Sequence, residues 1–217
     1  MEPVIVTLAV SVEILSPPSK VFALVSDAQA KARLNPLVQV IRIEPETPGP
    51  LREGSITFFR LQKGKRIFEY RTRCRRFEAD RLLENQVELP TLFLVRVEVE
   101  PTPGGTLLTQ QEECEVGLEM LEGLPVSRRA ERAWQTIKIL NLVLPALGRE
   151  AYTVILRERA EALRTTLRRE LWAWLQAIKR HLETGEEVRS AVPSRIDLPT
   201  PPRTEWRSGD GRTAERG

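Results

Sequence analysis

Side chains that ligate metals or act as nucleophiles are scarce in this sequence of 217 residues. It has two cysteines, Cys74 and Cys114, which are far apart and form no CxxC pair, and one histidine, His181. A zinc site needs several Cys or His ligands, and a nucleophile–base pair needs a partner that the sequence around His181 does not offer. We therefore expect no metal and no cofactor, and two free thiols in a reducing compartment.

Long apolar runs are also missing. The N-terminus, Met1–Leu8, has no basic region and no long apolar stretch, so it does not read as a signal peptide. No segment reaches the roughly 20 apolar residues that a membrane-spanning helix needs. We expect a cytoplasmic protein without a transmembrane segment. The formal charge of +3 is too small to indicate a nucleic-acid partner by itself, and we expect none.

Instead, apolar residues recur at every second position through much of the first 116 residues. This alternation predicts strands with one buried and one solvated face, paired in an antiparallel sheet. The predicted strands are residues 4–15, 38–44, 55–62, 67–77, 82–89, 92–100 and 106–116.

Two short helices are expected between the first two strands. Ser16-Pro17-Pro18-Ser19 breaks the first strand and provides a serine cap for one helix, and Asp27 can cap a second helix that runs to Leu34. After residue 116 the apolar period changes from 2 to 3.6. An extra helical segment is expected at 117–150, where Pro145 and Gly148 kink or end it.

A long helix follows that segment and ends at Thr184-Gly185. Its apolar stripe comprises Leu156, Ala160, Leu163, Leu167, Leu171, Trp174, Ile178 and Leu182. Residues 185–217 have no apolar periodicity and several prolines, which is typical of a disordered tail. The sequence thus predicts one domain at 1–184, followed by that tail.

Three short motifs resemble those of a known superfamily. They are the Pro-containing helix entry that ends in Asp at 16–27, the strand entry Pro50-Leu51-Arg52-Glu53-Gly54-Ser55, and the turn Gly104-Gly105-Thr106. In order and spacing they resemble the START-like, polyketide cyclase/dehydrase (SRPBCC) superfamily. The resemblance implies an α+β helix-grip fold, in which a curved antiparallel seven-stranded sheet surrounds a long C-terminal helix. The chain departs from the family at Leu34, where a Trp is common, and in the length of segment 117–150.

Members that this chain resembles bind hydrophobic ligands such as lipids, sterols or polyketides, and some catalyse cyclisation or dehydration. The leading hypothesis is a non-catalytic binder or carrier of a small hydrophobic, lipid- or polyketide-like molecule in an internal cavity. The second is a cyclase/dehydrase-type enzyme acting on a polyketide-like substrate. The third is a protein-interaction module that uses segment 117–150, for example as a homodimer contact. The fold alone does not choose among them.

Strand and helix periodicity selects the side chains expected to face the cavity. Glu112 and Tyr70 are the candidate acid/base groups. A carboxyl on an otherwise apolar face needs a hydrogen-bond partner or water, or it serves a ligand or a reaction. The alternative places Glu112 at a cavity mouth, solvated or paired with an Arg, and treats the apolar residues as ordinary core. The candidate ligand-binding residues are Phe58, Phe68, Tyr70, Asn85, Phe93, Val95, Gln110, Glu112, Leu167 and Trp174.

Basic side chains line the opposite, solvated face of one strand at Arg71, Arg73 and Arg75. Such a patch can make peripheral contact with an anionic membrane. The sequence favours a simpler interpretation, in which these side chains pair with acidic residues on neighbouring strands. Aromatic residues do not alternate with them, which argues against single-stranded nucleic acid. The expected acidic partners are Glu84, Glu88, Glu98 and Glu100.

Overall fold

The computed structural model describes residues 4–88, 92–116 and 145–186. Seven strands form one antiparallel sheet in the order β1-β7-β6-β5-β4-β3-β2. The strands are β1 (Val4–Ile14), β2 (Gln39–Pro45), β3 (Ile56–Lys63), β4 (Arg66–Glu78), β5 (Leu82–Val87), β6 (Phe93–Thr102) and β7 (Gly105–Val116). The helices are α1 (Pro18–Ser26), α2 (Ala28–Arg33) and α3 (Pro145–Thr184). The predicted helix-grip architecture is therefore confirmed.

The sheet is curved and buries one face, called the concave face below. In β1 the residues at even positions from Val6 to Ile14 are buried and those between them are exposed, as the alternation predicts. These side chains join a single core with α1 and α3. The opposite, convex face carries most of the charged side chains of the strands.

Local sequence explains how the two short helices begin. Asp27 accepts hydrogen bonds of 2.9 Å from the backbone N–H groups of Gln29 and Ala30, so it caps α2 as expected. The expected serine cap of α1 is wrong, because the cap position is Pro17, without a side-chain hydrogen bond. Ser16 is instead buried, and its carbonyl accepts a 2.6 Å hydrogen bond from Thr106 Oγ1.

The long helix α3 buries its apolar stripe against the core. Leu163, Leu171 and Ile178 are at most 3% exposed, whereas Trp172, off the stripe, is 54% exposed. Helix α3 begins at Pro145, within the segment predicted to precede the long helix, and it continues through Gly148. Proline is favoured in a first helical turn, where its missing N–H costs no hydrogen bond. None of the described helices is both long and apolar enough to cross a membrane.

The turn between β6 and β7 brings two backbone segments into close contact. A Cβ atom at Gly105 would lie 2.2 Å from the carbonyl oxygen of Ile14, and the residue has a φ of +154°. Only glycine fits there, which explains the second glycine of the Gly104-Gly105-Thr106 turn. The predictions for segment 117–144 and for the tail from 187 onward fall outside the described residues.

Candidate functional site

The concave face has two halves that differ in burial. The first, called the dry half, contains side chains that are at most 3% exposed: Leu83, Val97, Val99 and Leu108. The second, called the open half, continues the same strands with partly exposed side chains: Phe68, Tyr70, Asn85, Phe93, Val95, Glu112 and Cys114. Apolar side chains that face inward yet keep part of their surface accessible border free space rather than packed core.

Strand register confirms that these residues share a face. Glu112 lies opposite Leu8 on one side and Val95 on the other, and Val95 lies opposite Asn85. Directly paired residues in an antiparallel sheet point to the same side. Leu8 is 2% exposed and belongs to the core, so the whole row faces inward. The inward placement expected for Tyr70 holds too, because Cys74, four residues along the same strand, is buried in the core.

The expectation for Phe58 was wrong. Phe58 pairs with Arg71 and lies on the convex face, where the guanidinium groups of Arg42 and Arg71 lie 5.8 and 5.4 Å from its ring centroid. Its neighbour Phe59 faces inward and stacks on Tyr70 with ring centroids 5.1 Å apart. Two adjacent phenylalanines left the phase of β3 ambiguous, and a shift of one residue exchanges the two faces.

A polar cluster lies in the open half around Glu112. Gln110 Nε2 donates a 2.8 Å hydrogen bond to Glu112 Oε1. Burial raises the pKa of Glu112, and the hydrogen bond from Gln110 and the charge of Lys31 oppose that rise only in part. Burial, with the charge of Glu112, also raises the pKa of Tyr70 to about 12. The Tyr70 hydroxyl therefore stays protonated at neutral pH and is available as a hydrogen-bond donor.

Lys31 is the member of this cluster that sequence analysis missed. It lies on α2, is 9% exposed, and its ammonium lies 5.0 Å from the centroid of the Trp174 ring. Burial lowers its pKa to about 8, and the negative charge of Glu112 opposes this decrease. Helical spacing could have revealed the inward position of Lys31. It lies three residues after Ala28 and three before the buried Leu34, so all three share the inner side of the helix.

Helix α3 completes the site from the other side. Trp174 Nε1 donates a 3.0 Å hydrogen bond to the backbone carbonyl of Lys31. Glu170 forms a 2.7 Å ion pair with Lys63, which ties the β3–β4 hairpin to α3. Trp174 and Leu167 are partly buried and pack against the core. The structure therefore brings together residues from β3, β4, β7, α2 and α3 that are distant in sequence.

Asn85 stands apart from this cluster. It occupies the same transverse row as Glu112 but two strands away, a distance of about 10 Å across the sheet. Asn85 is therefore not a direct neighbour of Glu112 in the sheet. Its direct neighbours in the sheet are Val95 and Cys74.

A surface cleft of about 200 Å³ lies next to the open half rather than in it. Ala28 and Gln29 border it on the α2 side, and Ile43 and Thr57 on the sheet side. None of the charged residues of the polar cluster lines it. Among residues 4–88, 92–116 and 145–186, no three Cys, His, Asp or Glu side chains are arranged to hold a metal ion.

The convex face carries ion pairs, but among Arg71, Arg73 and Arg75 only Arg73 pairs with one of the expected partners, and the described residues include no ion pair of Arg75. Arg73 pairs with Glu88 at 2.7 Å and Arg71 with Glu46 at 2.9 Å. The pairing between neighbouring strands extends to Arg96 and Glu84, 4.0 Å apart. These contacts neutralise much of the patch, so it is a weaker candidate for contact with an anionic membrane than its sequence suggests.

Comparison with known proteins agrees with this architecture. Residues 6–138 match the model of a family described as polyketide cyclase / dehydrase and lipid transport. Protein CV1439 from Chromobacterium violaceum is 10% identical, with a TM-score of 0.50, over 82% of this chain and 98% of its own. No curated protein matches.

Two solved di-domain ARO/CYC proteins have the same fold. StfQ, from the steffimycin biosynthetic pathway, is 14% identical with a TM-score of 0.55 over 82% of this chain and 51% of its own. BexL, from the BE-7585A biosynthetic pathway, is 19% identical with a TM-score of 0.55 over 83% and 50%. At these identities the likeness concerns the fold alone, whereas the family match spans more than half of the sequence. The chain belongs to the polyketide cyclase/dehydrase and lipid transport family of the START-like (SRPBCC) superfamily.

Proposed function

We propose that this protein binds or carries a small hydrophobic, lipid- or polyketide-like molecule in the open half of the concave face. The observation that carries the proposal is the change in burial along the sheet. Val97 and Val99 of β6 are each 1% exposed, while Val95 and Phe93, which precede them on the same face, keep accessible surface. Ligand sites are mostly apolar with a few placed polar groups, and the open half has this composition.

Binding of a neutral fluorescent probe, N-phenyl-1-naphthylamine, tests the proposal. In Val95→Phe the added ring fills the open half, so the affinity should fall by about 10-fold or more. Leu94→Phe is the matched control, because Leu94 is adjacent on β6 and pairs with Glu113 and Gln86 on the convex face. Its affinity should stay within about 2-fold of the unmodified protein.

Native mass spectrometry of the purified protein provides an independent measurement. A co-purifying apolar molecule that Val95→Phe loses and Leu94→Phe retains would support the proposal. If neither the probe nor any co-purifying molecule binds the unmodified protein, the carrier function is refuted. Equal loss in both variants would place the binding elsewhere on the molecule.

A cyclase/dehydrase-type activity is the second candidate, and the pKa of Glu112 favours it. A carboxyl whose pKa is raised by burial suits proton transfer near neutral pH. Glu112 would act as the acid/base group, and the Tyr70 hydroxyl would donate a hydrogen bond to a substrate carbonyl. Loss of turnover of a poly-β-ketone thioester in Glu112→Gln, with probe binding retained, would support this candidate. Unchanged turnover would remove Glu112 from the chemistry.

The third hypothesis, an interaction module or homodimer formed through segment 117–150, stays a prediction. The apolar residues that recur at helical spacing in this segment lie outside the described residues: Trp134, Ile137, Leu140 and Leu144. Only the start of α3 belongs to the structure. Sedimentation equilibrium of the full chain and of a Trp134→Glu variant tests it. A dimer that the substitution dissociates would support the module, and a monomer at all concentrations would refute the homodimer.

A further inference from the structure

Lys31 is held in place from two directions. Its backbone carbonyl accepts the 3.0 Å hydrogen bond from Trp174 Nε1, and its ammonium lies 5.0 Å from the centroid of the same indole. It is 9% exposed. A surface lysine normally keeps its ammonium in water. Here helix α3 fixes both ends of the residue, so the position of the positive charge is built into the fold.

This buried ammonium lacks an anionic partner within the described residues. No carboxylate oxygen there lies within 4.0 Å of Lys31 Nζ. Glu112 acts on Lys31 electrostatically from a greater distance, and Glu170 already binds Lys63 at 2.7 Å. An ammonium carries three donors, and a residue that is only 9% exposed leaves little room for water to satisfy them. The indole face offsets part of the cost of burial but accepts no conventional hydrogen bond.

The groups that face Lys31 from the sheet are suited to an anion rather than a cation. Glu112 takes up a proton more readily than an ordinary glutamate because burial raises its pKa. The Tyr70 hydroxyl keeps its proton. Glu112 lies within electrostatic range of Lys31, Lys63 and Glu170, and Glu170 already pairs with Lys63 at 2.7 Å. The Tyr70 hydroxyl and a protonated Glu112 are both hydrogen-bond donors.

A carboxylate has two acceptor oxygens and can meet more than one of these donors. One oxygen would accept from the Lys31 ammonium, and the other from Tyr70 or protonated Glu112. The open half continues from this point as an apolar surface that includes Phe93 and Val95. A ligand that satisfies both parts has a carboxylate at one end and a hydrocarbon body at the other.

We propose that Lys31 determines ligand specificity, and that the open half binds a hydrophobic carboxylate whose anionic end pairs with the Lys31 ammonium. This inference rests on the proposed carrier function and narrows its ligand class. Neutral amphiphiles of the same length bind more weakly because they leave the ammonium unpaired. Cationic amphiphiles bind most weakly because they add a like charge to the cluster.

Isothermal titration calorimetry with decanoate, 1-decanol and decylammonium tests the proposal. The unmodified protein should bind decanoate about 10-fold or more tightly than 1-decanol, with decylammonium weakest. In Lys31→Met, which keeps the length of the side chain and removes the charge, decanoate should lose its advantage while 1-decanol stays within about 2-fold. Lys31→Arg should retain the preference. Lys65→Met, an exposed lysine on the β3–β4 hairpin, is the matched control and should change nothing.

Each outcome decides a different question. An unchanged ratio of decanoate to 1-decanol affinity in Lys31→Met would overturn the role of Lys31. Equal or better binding of decylammonium by the unmodified protein would overturn the anionic ligand class, and it does so even if no Lys31 variant folds. If the unmodified protein binds none of the three compounds, the carrier function fails before the specificity question arises.

Discussion

The dry and open halves of the concave face are built from the same strands, yet they differ in what they bury. On β7, Leu108 is fully buried in an apolar environment, while Glu112, four residues further, keeps accessible surface beside Lys31 and Tyr70. On β6, Val97 and Val95 have the same side chain and face, but only Val97 is sealed. One sheet therefore serves as a rigid core at one end and as a site at the other.

This difference has an energetic consequence. Apolar side chains of the dry half contribute stability by burial and close packing. Charged groups of the open half are desolvated without full pairing, which opposes folding. A protein keeps such groups when they serve a ligand, so removing them should stabilise the fold while harming the function. The three predictions that follow use this opposition.

The largest effect is expected for Lys31→Met. The pKa of Lys31 falls from 10.5 in the unfolded chain to about 8 in the folded protein, so the charged form destabilises the fold by about 3 kcal/mol. Between pH 8 and 10.5 the unfolded chain binds more protons than the folded protein, so the stability of the folded protein rises with pH. Below pH 8 Lys31 is charged in both states, and the whole destabilisation is present. At pH 7 the variant should be more stable by up to about 3 kcal/mol.

Urea denaturation at several pH values measures both parts of this prediction. The unmodified protein should gain stability relative to Lys31→Met as pH rises above 8, and the two curves should approach each other. Lys65→Met serves again as the control, with no pH-dependent difference expected. A Lys31→Met variant that is less stable than the unmodified protein at pH 7 would mean that the ammonium is well paired, and the contrast between the halves would weaken.

The next effect compares two valines on one strand. Val97→Ala should cost about 2–3 kcal/mol, because the cavity opens inside a packed core. Val95→Ala should cost about 1 kcal/mol, because its side chain already borders free space. The two substitutions are chemically identical and lie on the same face of β6, so each controls for the other. Equal losses in urea denaturation would show that the two halves pack alike.

The smallest effects are expected for ion pairs. In the Arg73–Glu88 pair of the convex face the side chains are 43% and 35% exposed, and Arg73→Gln should change stability by about 0–1 kcal/mol. In the Lys63–Glu170 pair the values are 28% and 15%, and Lys63→Gln should cost about 1–2 kcal/mol because it leaves Glu170 without its cation. Thermal denaturation at low and high salt measures the stability of both variants. If only Arg73→Gln loses stability, and the loss depends on salt, the expected order of the two ion pairs is wrong.

Much of the fold could be predicted from sequence because it depends on local periodicity. The alternation in β1 and β7, the Asp27 cap of α2 and the stripe of α3 each repeat with the period of their own element. Errors arose where the local signal was ambiguous. At Phe58-Phe59 two equivalent side chains left the register undecided, and the long helix begins at Pro145, earlier than predicted.

The sequence by itself determined the faces of the strands other than β3, the family and the presence of Gln110 and Glu112 on an apolar face. Only the tertiary structure decided which groups meet there. Lys31, on a short helix, is placed over the Trp174 ring of α3 and within electrostatic range of Glu112 on β7. Asn85 lies on the predicted face but two strands from Glu112. Periodicity specifies which way a side chain points, whereas distances between elements depend on sheet curvature and helix docking, which no single segment encodes.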